Sequence, residues 1–374
     1  MRTTKAAVLD APGQPLRITT LDLADPARGE VLVRTVASGV CHSDYHVVLG
    51  EWSGPTPLVL GHEGAGVVEA VGVDVTAVEP GDHVVLSWMP YCRRCRHCLA
   101  GRPNLCELTA RTSYDSVLLD GTTRLSENGE PVYSYLATAS LSEYTVVPET
   151  AAIPIRKDMP LHLAALVGCA VATGVGAVLN TARVAPGSSV LVVGCGGVGL
   201  SALMGAALTS ADPVIAVDRN DETLALARQL GATHTLNADR TDVLRAVRDI
   251  TGSVGVDYAF EAIGLPATLE LAHRATGPAG TTVVVGQVAE GATMSIDPFE
   301  LSDREKRLIG SNYGSCRPPE DFPRLIDLAM RDRLDLPALI GRTIPLEDIN
   351  TAFAAMSRGA TGRTVVTFQD PPHD

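Results

Sequence analysis

The stretch Ser189-Val-Leu-Val-Val-Gly-Cys-Gly-Gly-Val-Gly-Leu-Ser-Ala-Leu203 decides the fold. It opens with four consecutive aliphatic residues, the composition of a strand buried on both faces. Glycines follow at 194, 196 and 199, with Gly197 and Val198 between them, and match G-x-G-x-x-G. An apolar helical run comes next. Glycines placed between a strand and a helix permit a tight turn and close backbone approach to a pyrophosphate, which the helix N-terminus then holds. The bland alternative is a glycine turn without a ligand. Asp218 ends the next apolar run, Val214-Ile-Ala-Val-Asp218, about 20 residues further on. Its carboxylate can accept hydrogen bonds from both ribose hydroxyls and would repel a 2′-phosphate, which favours NAD over NADP. Arg219 beside it pulls the other way.

Working outward, apolar strands alternate with helices from Pro160 onward. Strands are expected at 189–193, 214–217, 233–236, 256–260 and 281–285. Helices are expected at 198–210, 221–230, 241–251 and 266–276. This alternation predicts an α/β fold with a doubly wound parallel sheet. Residues 184–211 carry no charge and are long enough for a membrane span. Pro186, Gly187 and the glycines break that run into strand, turn and helix, so a buried α/β unit is expected instead. Before Pro160 the chain reads as short strands near 31–37, 66–72 and 83–86, punctuated by Gly and Pro, which predicts a small barrel or irregular sheet. The tail predicts helices at 319–332 and 346–357 and a strand at 364–368.

The 374 residues suffice for about two domains. Acidic residues outnumber basic ones 43 to 30, for a net charge of −13. That balance argues against a nucleic-acid partner, which needs clustered cations. Residues 1–10 show no apolar core followed by a cleavage site. Eight cysteines in a chain of this kind predict metal or catalytic use rather than disulfides, and a cytoplasmic setting.

Cys92, Cys95, Cys98 and Cys106 follow C-x2-C-x2-C-x7-C. Four thiolates close a tetrahedral Zn²⁺ site with no open position, so this zinc is structural. Nearby arginines at 93, 94, 96 and 102 favour the thiolates. A redox pair or an Fe–S cluster is the alternative. Cys41, His62, Glu63 and Cys169 are scattered. Two thiolates and one imidazole would leave an open position, the mark of a catalytic zinc. Equally, Cys41 and Cys169 could be small buried apolar residues, as could Cys195 and Cys316.

Taken together and in this order, the motifs resemble those of the zinc-dependent alcohol dehydrogenases of the medium-chain dehydrogenase/reductase superfamily. The resemblance spans nearly the whole chain, from Gly29-Glu-Val-Leu-Val33 through Gly61-His-Glu63 and the cysteine lobe to Arg363-Thr-Val-Val366. It implies a GroES-like β-rich catalytic domain over 1–170, a Rossmann domain over 171–312, and a return to the catalytic domain over 313–374. It implies two Zn²⁺ per chain, with Cys41, His62 and Cys169 as catalytic ligands, and NAD as hydride acceptor. Glu63 would approach the metal from behind, and Asp44 would orient His62. Ser43 would contact the substrate oxygen, and His46 would pass the proton to solvent through the cofactor ribose. His42 and Arg363 would contact the pyrophosphate.

The partners implied are a small alcohol or aldehyde and a second copy of the chain, as a homodimer or a homotetramer, with no membrane. The edge strand near 307–312 would join the copies. Thr223 and Gln287 depart from common family residues near the cofactor. Trp52, Trp88 and Tyr135 fall at substrate-pocket positions, with the loops of 109–136 shaping the rest. Residues 313–322 and Trp88 also resemble thiol-dependent formaldehyde dehydrogenases. The glutathione-dependent class carries an arginine near the fourth lobe cysteine, where this chain offers Ala110 or Arg111. A catalytically silent NAD- and zinc-binding protein is the remaining alternative, against which Ser43 and His46 speak.

Overall fold

A computed structural model describes residues 2–368; Met1 and residues 369–374, the ends of the expected outer segments, lie outside the described residues. The chain forms two compact units. One comprises residues up to Cys169 together with Arg317–Asp332 and the tail from Ile340; the other comprises Ala170–Cys316 and Arg333–Leu339.

In the first unit, five short strands close a barrel in the order Arg2–Leu9, Arg17–Leu23, Leu125–Glu127, Glu130–Ser134, Leu58–Val59. A second sheet runs Ala152–Ile155, His83–Leu86, Glu63–Val71, Glu30–Gly39, Arg363–Thr367, Ile340–Pro345, with Tyr144–Pro148 also paired to Glu30–Gly39. Alternating small and β-branched residues suit these strands: Val31, Val33, Val68, Val84 and Leu86 share one buried cluster. The strand Glu30–Gly39 has three antiparallel partners, Glu63–Val71, Tyr144–Pro148 and Arg363–Thr367. Gly39 faces Glu63 on one side and Val365 on the other. That register brings Glu63 and Arg363 together from distant parts of the sequence.

The second unit carries the parallel sheet expected from the βα alternation. Its order is His234–Asn237, Val214–Asp218, Val190–Val193, Val256–Glu261, Thr276–Val284, Arg307–Gly310. Leu191, Val193, Ile215, Val217 and Ala259 pack in one core, which explains the unbroken aliphatic runs. Strand order reverses beside Val190–Val193, and ligands bind outside the carboxyl ends of strands at such a switch. The charge-free stretch 184–211 resolves into the strand Val190–Val193, the glycine turn and the helix Gly197–Leu208. No single helix among the described residues is long and apolar enough to cross a membrane.

The largest departure from expectation is the strand expected at 281–285, which begins five residues early at Thr276. The helix expected over 266–276 stops at Ala275, and Thr276 already begins the strand Thr276–Val284. Pro278 drives Gly277 out of the helical region, so the chain extends early. A register shift between Val256 and Tyr258 absorbs the extra residues.

Candidate active site

Cys41 caps the N-terminus of the helix His42–Leu49 with extended backbone, φ −113° and ψ 153°. His62 follows Gly61, whose φ of +92° turns the chain into the strand Glu63–Val71. Cys169 closes the short turn Ala165–Gly168. These elements bring one donor atom each from Cys41, His62, Glu63 and Cys169 within 4.8 Å of one another, all buried. Asp44, fully buried, holds the cluster's frame. Its Oδ1 lies 3.1 Å from His62 Nδ1 and accepts the Gly61 N–H at 2.9 Å; its Oδ2 accepts the Cys41 N–H at 3.2 Å. A carboxylate on Nδ1 leaves Nε2 as the metal-facing nitrogen.

The electrostatics split the two thiols, because the Cys41–Cys169 contact that lowers one pushes the other well up. The Cys169 hydrogen bond draws the Cys41 thiol well below its ordinary value, with Arg363 and His62 acting in the same direction against burial. Burial pushes the Glu63 carboxyl up to about 7 even though Arg363 pairs with it. Glu63 Oε2 is buried without a hydrogen-bond partner. A Cβ on Gly39 would lie 2.0 Å from that oxygen, so only glycine admits the carboxylate here. Two thiols, an imidazole and an orphaned carboxylate oxygen form a donor set that fits Zn²⁺. Arg363, expected at the pyrophosphate, contacts Glu63 in this structure.

At the second cluster, Cys92, Cys95, Cys98 and Cys106 also place their sulfurs within 4.8 Å of one another. Cys95 and Cys98 sulfurs are 3.5 Å apart and those of Cys92 and Cys98 4.0 Å. A tetrahedron with Zn–S of about 2.3 Å needs S···S near ~3.8 Å. Backbone N–H groups point at the sulfurs: Cys92 N–H to Cys106 Sγ at 3.3 Å, and Cys95 N–H to Cys92 Sγ at 3.3 Å. The N–H groups of Cys98 and Glu107 pull Cys95 down to about 6, the thiolate form a metal requires.

The aromatic residues divide between two places. Trp88 and Tyr135 stand edge-on to the His62 ring, at centroid distances of 6.4 and 5.7 Å. Trp52 instead stacks on His46 at 4.7 Å. Ser43 Oγ lies 3.6 Å from Cys41 Sγ, and the Tyr135 hydroxyl donates to the Ser43 carbonyl. His42 is exposed, its ring 6.4 Å from that of His46. Sequence reasoning missed Glu51, whose carboxylate contacts His46 Nδ1. The available signal was an acid placed just beyond the helix-ending Gly50. Ala110 and Arg111 both lie exposed on the helix Glu107–Tyr114. Only Arg111 lines a cavity of about 500 Å³, with Pro55, Asp115, Asp120 and Tyr133 among its walls. No zinc-site residue lines it.

In the second unit, Gly194 has φ +90°, and a Cβ on Gly199 would lie 1.8 Å from the Gly194 carbonyl oxygen. Nothing lies within 4 Å of a Cβ built on Gly196. Gly196 caps the helix Gly197–Leu208 without a side-chain hydrogen bond, so the first N–H groups, those of Gly197 and Val198 included, are left for a ligand. This cradle fits a pyrophosphate. Asp218 stands at the end of Val214–Asp218 and accepts N–H bonds from Cys195 at 2.8 Å, Arg219 at 2.7 Å and Asn220 at 3.0 Å. Arg219 is not free: its Nε lies 2.7 Å from Asp239 Oδ1. Thr223 is buried in the first helical turn after Asp218, and Gln287 is exposed.

Residues 27–157 match the alcohol dehydrogenase GroES-like domain, and residues 197–331 match the zinc-binding dehydrogenase family. S-(hydroxymethyl)glutathione dehydrogenase of Escherichia coli O6:H1 (strain CFT073) is 40% identical over 372 residues, covering 97% of this chain and 99% of that protein. The crystal structure of an alcohol dehydrogenase zinc-binding domain protein from Burkholderia ambifaria superposes with a TM-score of 0.94 at 40% identity, covering 100% of both chains. Benzyl alcohol dehydrogenase from Acinetobacter calcoaceticus gives 0.94 at 34% identity, over 99% of this chain and 100% of that one. Fold and site define a zinc-containing, NAD-dependent oxidoreductase of the alcohol dehydrogenase type. The chain belongs to the zinc-dependent alcohol dehydrogenases of the medium-chain dehydrogenase/reductase superfamily. Its reaction class is hydride transfer between an alcohol and NAD.

Proposed function

We propose that this chain oxidises primary alcohols with an aromatic or apolar body to aldehydes, with NAD, at the site built on Cys41, His62 and Cys169. The carrying observation is the pair of rings, Trp88 and Tyr135, edge-on to His62. They supply apolar walls beside the reacting centre. When bound, zinc supplies a Lewis acid and NAD a hydride acceptor. The chain's own groups do the rest. Cys41 and Cys169 offer thiolates, and Asp44 fixes the His62 tautomer. Glu63 balances Arg363 behind the site. Ser43 Oγ takes the hydroxyl proton, and His46 delivers it to water. NAD is preferred over NADP because Asp218 presents a carboxylate at the end of its strand. The zinc-lobe thiols suit a reducing, cytoplasmic setting, and the working form is a homodimer.

A second reading concerns a thiol adduct of formaldehyde. Arg111, a cation lining the cavity of about 500 Å³, favours it, as does the name of the Escherichia coli relative. A kcat/KM panel of benzyl alcohol, ethanol and cyclohexanol, beside formaldehyde with and without glutathione, tests both. Benzyl alcohol leading by at least tenfold, without thiol dependence, supports the first reading; turnover that needs glutathione replaces it with the second.

A further inference from the structure

His46 is gripped on two sides by residues from one turn. The helix His42–Leu49 ends at Gly50, whose φ of +76° reverses the chain. The Glu51 N–H then donates back to the His46 carbonyl at 2.9 Å, and the Trp52 N–H reaches the same oxygen at 3.3 Å. This folds the Glu51 carboxylate onto His46 Nδ1 and lays the Trp52 ring on the imidazole, 26° from parallel. The grip is local and built by backbone, so it is a property of the turn rather than of a chance surface contact. The His46 side chain remains 30% exposed, which leaves it an edge in water.

We propose that Glu51 is a positioning residue for proton release. It acts through His46, so the proposal rests on the relay role given to His46 above. An ionised carboxylate only accepts hydrogen bonds. Nδ1 must therefore carry the ring proton, and Nε2 keeps its lone pair for the proton coming from the substrate side. When Nε2 takes that proton, Glu51 balances the imidazolium charge, as an orienting carboxylate does for a general base. One proton then passes to bulk water and the ring returns to the Nδ1–H tautomer. Trp52 stops the ring from rotating between these events. Without Glu51 the ring would populate both tautomers, and only part of the population would accept at Nε2. Glu51 and His42 are titratable groups that face the ring.

The test compares Glu51→Gln, Glu51→Asp and His46→Gln in the zinc-loaded enzyme. Protein labelled with ¹⁵N-histidine reports the His46 tautomer directly, without turnover. The expected result is Nδ1–H in the parent and in Glu51→Asp, and a mixture in Glu51→Gln. Glu51→Gln should lower kcat for alcohol oxidation roughly threefold to tenfold below neutral pH, well under the ~10²–10⁴ a general base can contribute, because water substitutes. KM for NAD and the two zincs per chain should not change. Added acetate or imidazole buffer should restore part of the loss. An unchanged tautomer and pH profile in Glu51→Gln, while His46→Gln is impaired, overturns the proposal and leaves the relay standing. Unchanged profiles in both Glu51→Gln and His46→Gln remove the relay itself, and the proposal with it.

Discussion

Cys41 shows how much one atom decides. Its sulfur is one of the buried donors that face each other across less than 4.8 Å, and its backbone N–H is tied to Asp44. Cys41→Ala should bind one zinc per chain instead of two and lose turnover, while its far-UV spectrum stays that of the parent. Full activity in this variant removes the catalytic assignment. The glycine-loop acid makes a finer case. Asp218 accepts three backbone N–H bonds, one of them from inside the loop, so it holds the loop in addition to the ribose role proposed for it. Asp218→Gly should therefore narrow the NAD preference and weaken both cofactors. Asp239→Asn leaves the loop alone and loosens the charge pairing on Arg219, so it should raise kcat/KM for NADP severalfold and leave NAD unchanged. Binding of 2′-phospho-AMP against AMP checks the same point without turnover, and equal responses to both nucleotides would contradict it. Neither the Arg219–Asp239 pair nor the Glu63–Arg363 contact could be read from sequence. The latter joins residues 300 positions apart, and only the strand register brings them together.

At the scale of elements, legibility follows the distance over which a signal acts. The strand, glycine turn and helix at 189–203 could be read because burial and φ act within a few residues. The cysteine lobe could be read for the same reason: one short loop supplies every donor. The Cys41, His62, Glu63 and Cys169 cluster, assembled from three separate segments, could be assigned as an open metal site only through resemblance. The lobe is also where a bound metal would contribute to folding. Cys98→Ala, or prolonged chelation, should lower the thermal midpoint, because a structural site adds its binding free energy to stability; an unchanged midpoint would reject a structural metal there. Glu149 ties this lobe to the neighbouring loop. Its carboxylate accepts N–H bonds from Thr76 at 2.7 Å and Ala77 at 2.8 Å and pairs with Arg93 at 3.0 Å. Burial alone would raise its pKa, but these partners outweigh burial and hold it below its ordinary 4.5. The stabilisation is complete above the unfolded value and is lost as pH falls through the lower folded value. Glu149→Gln keeps an acceptor for both N–H groups and should cost about 1 kcal/mol at pH 7. Below pH 4.5 its midpoint should converge on that of the parent; parallel curves would show that Glu149 does not titrate in this way.

For the whole molecule, the open question in the fold is the outer strand of the parallel sheet. Arg307–Gly310 pairs with Thr276–Val284 on one side, and no strand covers its other side among the described residues. Leu308 is 37% exposed, and Phe299 on the preceding helix Pro298–Asp303 is 72% exposed. The entry to the strand is fixed. Lys306 is buried, pairs with Glu300 at 2.8 Å and donates to the His273 carbonyl at 3.1 Å. A rigid, partly apolar edge is a template for another strand. Through a twofold axis the same edge can pair with itself, joining two sheets into one. Light scattering at micromolar concentration should give twice the 39.2 kDa chain mass. Leu308→Glu places like charges opposite each other across that axis, which destabilises strand pairing, and should shift the protein toward monomer. Zinc content and the spectrum of the folded chain should hold, because Leu308 is partly exposed on the free chain and lies outside the buried core. A parent that scatters as a monomer at micromolar concentration overturns the dimer. A dimer that survives Leu308→Glu unchanged moves the interface away from this strand.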